Sequence, residues 1–407
     1  MKTDFDLIII GGGMVGASLA RALAATDLRI AVVEAKPADA AGQPSYDDRA
    51  IALAYGTRLI LEGIGVWPAL EPEVEAIRHI HVSDRGRFGF TRLDHKAHGI
   101  DALGYVATAH SLGQVLLKGL EQQPNLQLFC PAKLEGFSVL ADHAEAQITV
   151  DGASHTLQSK LLVAADGVNS IVRESLDIEL KEWGYGQTAV ISNLTPGGEC
   201  RGVAYERFTD AGPMAMLPLT EERYGLVWTL DDEDVDEVMA LDETAFLQRV
   251  QSRFGNRLGE LQRAGRRSCY PLKLVRAVEH VRPRVALIGN AAHAVHPITG
   301  QGFNLGIRDV AVLADLLVDA NNSGADLGSL TVLESYARWR NRDQQAVALM
   351  TDGLVRLFTN PLLPVRLLRN LGMVALDLMP GPKHLLTRQF MGLNGRLPRL
   401  SRGRPLV

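Results

Sequence analysis

The stretch Asp6-Leu-Ile-Ile-Ile-Gly-Gly-Gly-Met-Val-Gly-Ala-Ser-Leu-Ala20 decides the fold. Leu7 to Ile10 is a short apolar run bounded by glycines, which predicts a buried strand. Gly11-x-Gly13-x-x-Gly16 follows, and then a helical pattern with Leu19, Ala20 and Leu23 on one side. A second apolar run, Ile30 to Val33, ends in the acid Glu34. Each part has a physical role in holding a dinucleotide. Gly11 makes the tight turn, and Gly13 lets the pyrophosphate approach the backbone. Met14 and Val15 open a helix whose N-terminus stabilises negative charge, and Gly16 lets helix and strand pack closely. Glu34 can accept hydrogen bonds from a ribose. Three spaced glycines alone are a weak signal; here the strand, helix and acid accompany them.

A second glycine-rich stretch lies far downstream: Val285-Ala-Leu-Ile-Gly-Asn-Ala-Ala-His-Ala-Val-His-Pro-Ile-Thr-Gly-Gln-Gly-Phe-Asn-Leu-Gly-Ile-Arg-Asp309. An apolar strand runs into Gly289, a loop of small residues follows, and a helix begins after it. Such a loop brings bare backbone amides against a flat polar ligand. The two stretches together outline one dinucleotide held at both ends. His293 and His296 are three apart, but no third ligand spacing accompanies them, so no metal site is read.

Composition sets the outer limits. The chain has 407 residues, 46% of them hydrophobic, enough for about two or three packed units. Cys130, Cys200 and Cys269 are far apart and form neither a disulfide framework nor a zinc site, which fits a reducing, cytoplasmic setting. No secretory leader and no apolar run fit for crossing a bilayer are read. The net charge is −5 but uneven: from Gly353 onward there are nine basic residues and one acid, Asp377, which is +8 against −13 for the rest. Leucines lie between those arginines. Such a tail can lie on an anionic membrane surface, or pack on the core with its arginines on the wet face. The acidic body and the lack of a recognition motif argue against nucleic acid.

Residues 1–180 read as alternating strands and helices, the pattern of a parallel sheet. Residues 181–275 change character: runs at 188–194, 202–208, 214–218 and 224–230 look like antiparallel strands. A helix follows, with Asp242 as N-cap, Phe246, Leu247, Val250 and Phe254 as its apolar stripe, and Gly255 as its end. The expected class is α/β, a Rossmann-like dinucleotide domain (1–180 and 276–352) with an inserted antiparallel-sheet substrate domain (181–275). A helical basic C-terminal region (353–407) completes it.

A third motif, Leu161-Leu-Val-Ala-Ala-Asp-Gly-Val-Asn-Ser-Ile-Val-Arg173, carries a resemblance. With the other two, in this order, it resembles the single-component flavin aromatic hydroxylases built like para-hydroxybenzoate hydroxylase. Asp47-Asp-Arg-Ala-Ile-Ala-Leu53, Val82-Ser-Asp-Arg-Gly86, Phe208-Thr-Asp-Ala-Gly-Pro-Met-Ala-Met-Leu-Pro218 and the loop from His296 to Gly306 are similar to the ubiquinone-biosynthesis members of that class. The resemblance implies bound FAD, NAD(P)H as a transient reductant without a domain of its own, and O₂ as co-substrate. A C4a-hydroperoxide would then hydroxylate a prenylated methoxyphenol. It implies that Arg49 lies beside the FAD phosphates, although a surface ion pair with Asp47 or Asp48 would also explain it. Asp166 lies where FAD and NAD(P)H pass, although Asp-Gly is also a common turn. Gly289 and Asn290 take the ribityl chain, with Asn290 where relatives carry Asp. Pro297, Gly300, Gly302, Phe303 and Asn304 line the flavin ring, with His296 a candidate for proton transfer. In the second sheet, Tyr205, Arg207, Met214, Met216 and Trp228 are candidates for the substrate wall, about half of which should face away because strand side chains alternate. Contact with a membrane or a biosynthetic complex falls to the basic tail. Other flavoproteins of this build remain open, as does a non-catalytic flavin-bearing subunit. The halogenase Trp-x-Trp-x-Ile signature is missing: the four tryptophans are scattered.

Overall fold

The computed structural model describes residues 3–37, 49–199, 202–210, 212–294, 300–360 and 362–407. Five parallel strands form the centre of the first sheet, in the order Val285–Leu287, Ala153–Ala164, Phe5–Ile10, Ile30–Val33 and Leu126–Phe129. The apolar runs are continuous because both faces are covered. Leu7 and Ile9 join the core under the helices Met14–Ala22 and Gln301–Asn322, whereas Ile8 and Ile10 join a second core on the opposite face. Ala132–Val139 and Ala144–Val150 extend this sheet antiparallel from the long strand Ala153–Ala164.

A nine-stranded second sheet contains the four strands expected from alternating polarity, now bounded as Leu180–Pro196, Val203–Thr209, Gly212–Leu219 and Arg223–Asp231. The helix Glu243–Phe254 starts where its cap predicts. Asp242 accepts a hydrogen bond from the Ala245 amide, and Gly255 ends the helix at φ +88°. The sheet also draws on the N-terminal half of the chain: His79–Asp84 pairs parallel with Val203–Thr209, and Phe90–Asp94 follows on the edge. A small sheet of Ala50–Ala54, Gly104–Thr108 and Glu75–Ile77 lies against the large one, and a side chain at Gly225 would overlap Ala50 Cβ.

Three helices, Leu330–Thr359, Leu363–Leu378 and Pro380–Phe390, close the described chain. The middle one reverses the usual arrangement. Beside Met373, its inward residues are polar and paired: Arg369 meets Asp84 at 2.8 Å, the Asn370 side chain donates to the same carboxylate, and Asp377 accepts from the Arg92 amide. Its outward residues Leu363, Leu367, Leu368, Leu371 and Leu378 are 50–74% exposed. The expectation of arginines on the wet face therefore fails for Arg369, which is buried. It binds the Leu357 and Phe358 carbonyls at the end of the preceding helix, where a cation is favoured.

Candidate active site

The three motifs meet in space. Gly11 sits at φ +98°, and a Cβ there would come within 2.5 Å of the Ala165 carbonyl oxygen and 2.9 Å of Asp166 Cα. Gly16 has the packing role expected of it, since a Cβ would overlap the Gly11 carbonyl oxygen. Val15 reaches across to the late stretch: its methyls lie 3.1 Å from where a Cβ of Gly289 would be and 3.0 Å from that of Gly306. Arg173 links the second and third motifs through a 3.1 Å hydrogen bond to the Ala291 carbonyl. Gly13, Met14, Gly289 and Asp166 are thus gathered around the N-terminus of the helix Met14–Ala22.

Glu34 closes the far side. Its carboxylate accepts hydrogen bonds from the Gly12 amide at 2.6 Å and the Lys36 amide at 2.8 Å. Asp166 accepts from the Val172 amide through Oδ2, while its Oδ1 is enclosed with no protein partner. Burial raises its pKa. A buried, unpaired carboxylate oxygen at a motif junction suits a ligand that donates a hydrogen bond. Asn290 is exposed, and a Cβ at Gly302 would meet open space. The residues present therefore fit a bound FAD.

Gly300, at φ +60°, caps the helix Gln301–Asn322, whose first amides have no intrahelical partner. The Asn304 side chain is fully committed: it accepts from the Ala54 amide and the Thr57 hydroxyl and donates to the carbonyls of Ala52 and Gly300. This clamp fixes the loop on the small sheet, so only the backbone of Asn304 is left for a ligand. Phe303 packs partly buried against the first core. Arg49 stacks its guanidinium over the Tyr270 ring at 5.0 Å. Asp47, Asp48, His296 and Pro297 lie outside the described residues.

Sequence reasoning missed what holds the late loop from behind. Asp309 is completely buried. One oxygen accepts from the Gly289 amide at 3.0 Å and from His293 Nε2 at 2.6 Å; the other accepts from Arg340 Nε at 2.6 Å and Gln344 at 3.1 Å. Burial alone would raise its pKa, but His293 and Arg340 outweigh it and hold the carboxylate well below the usual range. His293 is thus committed to this carboxylate. Asp309 ends the quoted stretch, yet nothing near it in sequence signals Arg340.

The substrate-wall candidates need correction. Directly paired residues share a sheet face. Tyr205 pairs with Met216, Arg207 with Met214, and Met214 with Trp228. That shared face is covered by the helix Glu243–Phe254, where Met214, Met216 and Trp228 are buried with Phe246 and Phe254, and Tyr205 packs edge-on to Phe254. All five side chains thus share the face away from the dinucleotide domain. Alternation gave two faces; the covering helix decides between them. The opposite face carries Val82, Glu206, Ala215, Val227 and Ile191 in one row, each partly accessible.

Residues 4–350 match the family described as the FAD binding domain. The ubiquinone hydroxylase UbiL of Rhodospirillum rubrum is 39% identical over 98% of this chain and 93% of its own. The 3-demethoxyubiquinol 3-hydroxylase of Escherichia coli is 30% identical over 95% of this chain and 98% of its own. The fold is shared with the p-nitrophenol 4-monooxygenase PnpA of Pseudomonas putida, with a TM-score of 0.80 at 20% identity, over 97% of this chain and 100% of that one. Motifs that converge on one dinucleotide site, and full-length relatives of this kind, place the chain in the FAD-binding family, among the FAD-dependent hydroxylases of ubiquinone biosynthesis.

Proposed function

We propose that this monooxygenase hydroxylates a polyprenylated methoxyphenol, converting 2-octaprenyl-6-methoxyphenol to the 1,4-benzoquinol. The observation that supports this reading is the accessible row of the second sheet. Val82, Ala215, Val227 and Ile191 form an apolar floor on the side of the dinucleotide domain, suited to a ring with a hydrocarbon tail. FAD, reduced by NAD(P)H, supplies the activated oxygen. The chain's residues do the rest. Gly13, Met14, Val15 and the helix they open take the pyrophosphate, Glu34 the adenosine ribose, and Arg49 a phosphate. Asp166 and Asn290 take hydroxyl groups of the ribityl chain. Amides at Gly300, Gly302 and Phe303 stabilise negative charge on the ring system. The apolar floor orients the phenol and excludes water.

A strain lacking this protein should accumulate the methoxyphenol and lose ubiquinone in air, read by mass spectrometry of quinone intermediates. Accumulation of an earlier, unmethoxylated prenylphenol would move the reaction to another ring carbon, and normal quinone levels would remove the pathway assignment. Asn290→Leu should weaken FAD binding on the order of tenfold, because it leaves polar ribityl groups unpaired. Equal FAD affinity in that variant would place the ribityl chain elsewhere.

The same reading assigns the C-terminal helices to a peripheral contact with the membrane that holds such a substrate. No helix among the described residues is long and apolar enough to cross a membrane. The outward leucines of Leu363–Leu378 fit insertion at a bilayer surface, and the exposed Arg388, Arg402 and Arg404 of the C-terminal region add the positive charge that favours an anionic one. Replacing Leu367, Leu368 and Leu371 together by Ser should reduce sedimentation with anionic liposomes without loss of FAD. Unchanged liposome binding would sink this assignment.

A further inference from the structure

We propose that Glu206 is the base that takes the proton of the substrate's ring hydroxyl. This deepens the functional reading above and rests on it. The argument begins from sheet register. Glu206 lies in Val203–Thr209 between Val82 and Ala215, on the face turned toward the dinucleotide domain. That row is bounded on both sides. Toward one end, Ala204, Leu217 and Gly225 are closed against the small sheet, through Ala50, Ile77 and Val106. Toward the other, Phe208 stacks on Phe358 of the helix Leu330–Thr359 at 3.4 Å between ring centroids. The row between stays partly accessible, and its members apart from Glu206 are apolar. Strand spacing and rise put Glu206 about 12 Å from Gly225, where the small sheet that also carries the Gly300 loop makes contact. A substituted phenol ring spans such a gap.

Glu206 Oε1 is enclosed and has no hydrogen-bond partner in the protein. A carboxyl oxygen enclosed without a donor is costly unless something supplies one. Among the described residues of the elements packed over this face, Asp84 is paired with Arg369, Asp352 with Arg356 and the Tyr185 hydroxyl, and Arg49 before the small sheet stacks on Tyr270. None is a cation directed at Glu206, and burial pushes its pKa up to about 8. A base so poised ionises near neutral pH, where proton transfer from a phenol is most efficient.

The step balances as follows. The ring O–H breaks, its proton passes to the Glu206 carboxylate, and the electron pair stays on the ring oxygen. That charge spreads to the para carbon and makes it the nucleophile toward the activated oxygen. As the new C–O bond forms, the O–O bond of the dioxygen reduced at the expense of NAD(P)H breaks. The same carbon then loses its hydrogen as a proton, which the oxygen left behind takes up on its way to water, and Glu206 returns its own proton to the ring oxygen.

The test compares the intact protein with Glu206→Gln and Glu206→Leu, reading FAD content, binding of a short-chain prenylated methoxyphenol by flavin absorbance, and the pH profile of kcat/KM. Both variants should keep FAD, since no described residue of the dinucleotide site is hydrogen-bonded to Glu206. In the wild type, kcat/KM should rise with pH and level off above about 8. Glu206→Gln should still bind the phenol, with kcat/KM at least a hundredfold lower and this rise lost. A Gln variant with the wild-type rate and profile would overturn the assignment while leaving the functional reading intact. A wild type that binds and hydroxylates no prenylated phenol would instead overturn the functional reading, and Glu206 with it.

Discussion

Asp309→Ala is expected to cost on the order of 3–5 kcal/mol of folding stability, measured by denaturant titration at neutral pH. The size follows from what the variant leaves behind. Arg340 is 2% exposed, and its Nε loses a 2.6 Å acceptor; Asp343 then remains as the carboxylate on the same guanidinium, beside the Leu305 carbonyl. His293 and the Gly289 amide lose their acceptor at once. Breaking a buried pair strands a charge, whereas replacing the whole pair need not. The pH dependence has a definite sign. The folded-state pKa of Asp309 is depressed, so its contribution is fully present above the unfolded value of about 3.9 and is lost as pH falls toward the folded one. The gap between wild type and variant should therefore be flat from neutral pH to about 5 and shrink below about 4. A variant as stable as the wild type would show that the late loop is held by other contacts.

Gly11→Ala is expected to yield protein without FAD. Gly11 adopts φ +98°, which L side chains rarely adopt, and its Cβ would press on the Ala165 carbonyl. Ala165 cannot give way cheaply, because its amide donates to the Ile10 carbonyl at 2.7 Å and continues the central sheet. The substitution therefore forces apart the first and third motifs, which the proposed function places around the FAD. Gly353→Ala, a helical position whose Cβ would meet nothing within 4 Å, is the matched control and should stay yellow. Stoichiometric flavin in Gly11→Ala would mean that this approach does not shape the site.

The dinucleotide half of the molecule was legible because its signals are local. Gly11, Gly16 and Gly289 each occupy a position whose backbone angle or close packing requires glycine, and the apolar runs before them are strands of one sheet. The helix after Asp242 was legible for the same reason, since cap, stripe and stop are adjacent in sequence. The second sheet was only partly legible. Period-two alternation located its strands but is symmetric between the two faces, and the tie is broken by a distant helix that covers Met214 and Trp228. Glu206 escaped notice as one glutamate in a strand until register set it in an apolar row. The Asp309–Arg340 pair and the burial of Arg369 against Asp84 are separated by 31 and 285 residues, so no local pattern announces them. The tail's composition was read correctly as basic and apolar, but composition does not say which kind of residue turns outward.

The parallel sheet bears on how the chain is made. Ala153–Ala164 needs Val285–Leu287 as its neighbour, and that strand emerges from the ribosome only after the whole of the second sheet's central strands. With synthesis at roughly 5–20 residues per second, the unfinished sheet waits on the order of ten seconds with an apolar edge unpaired. Asp309, which holds the Gly289 amide, and Arg340, which holds Asp309, come later still. Flavin capture is therefore a late event in biogenesis, and the nascent chain's exposure to misfolding is concentrated in that interval.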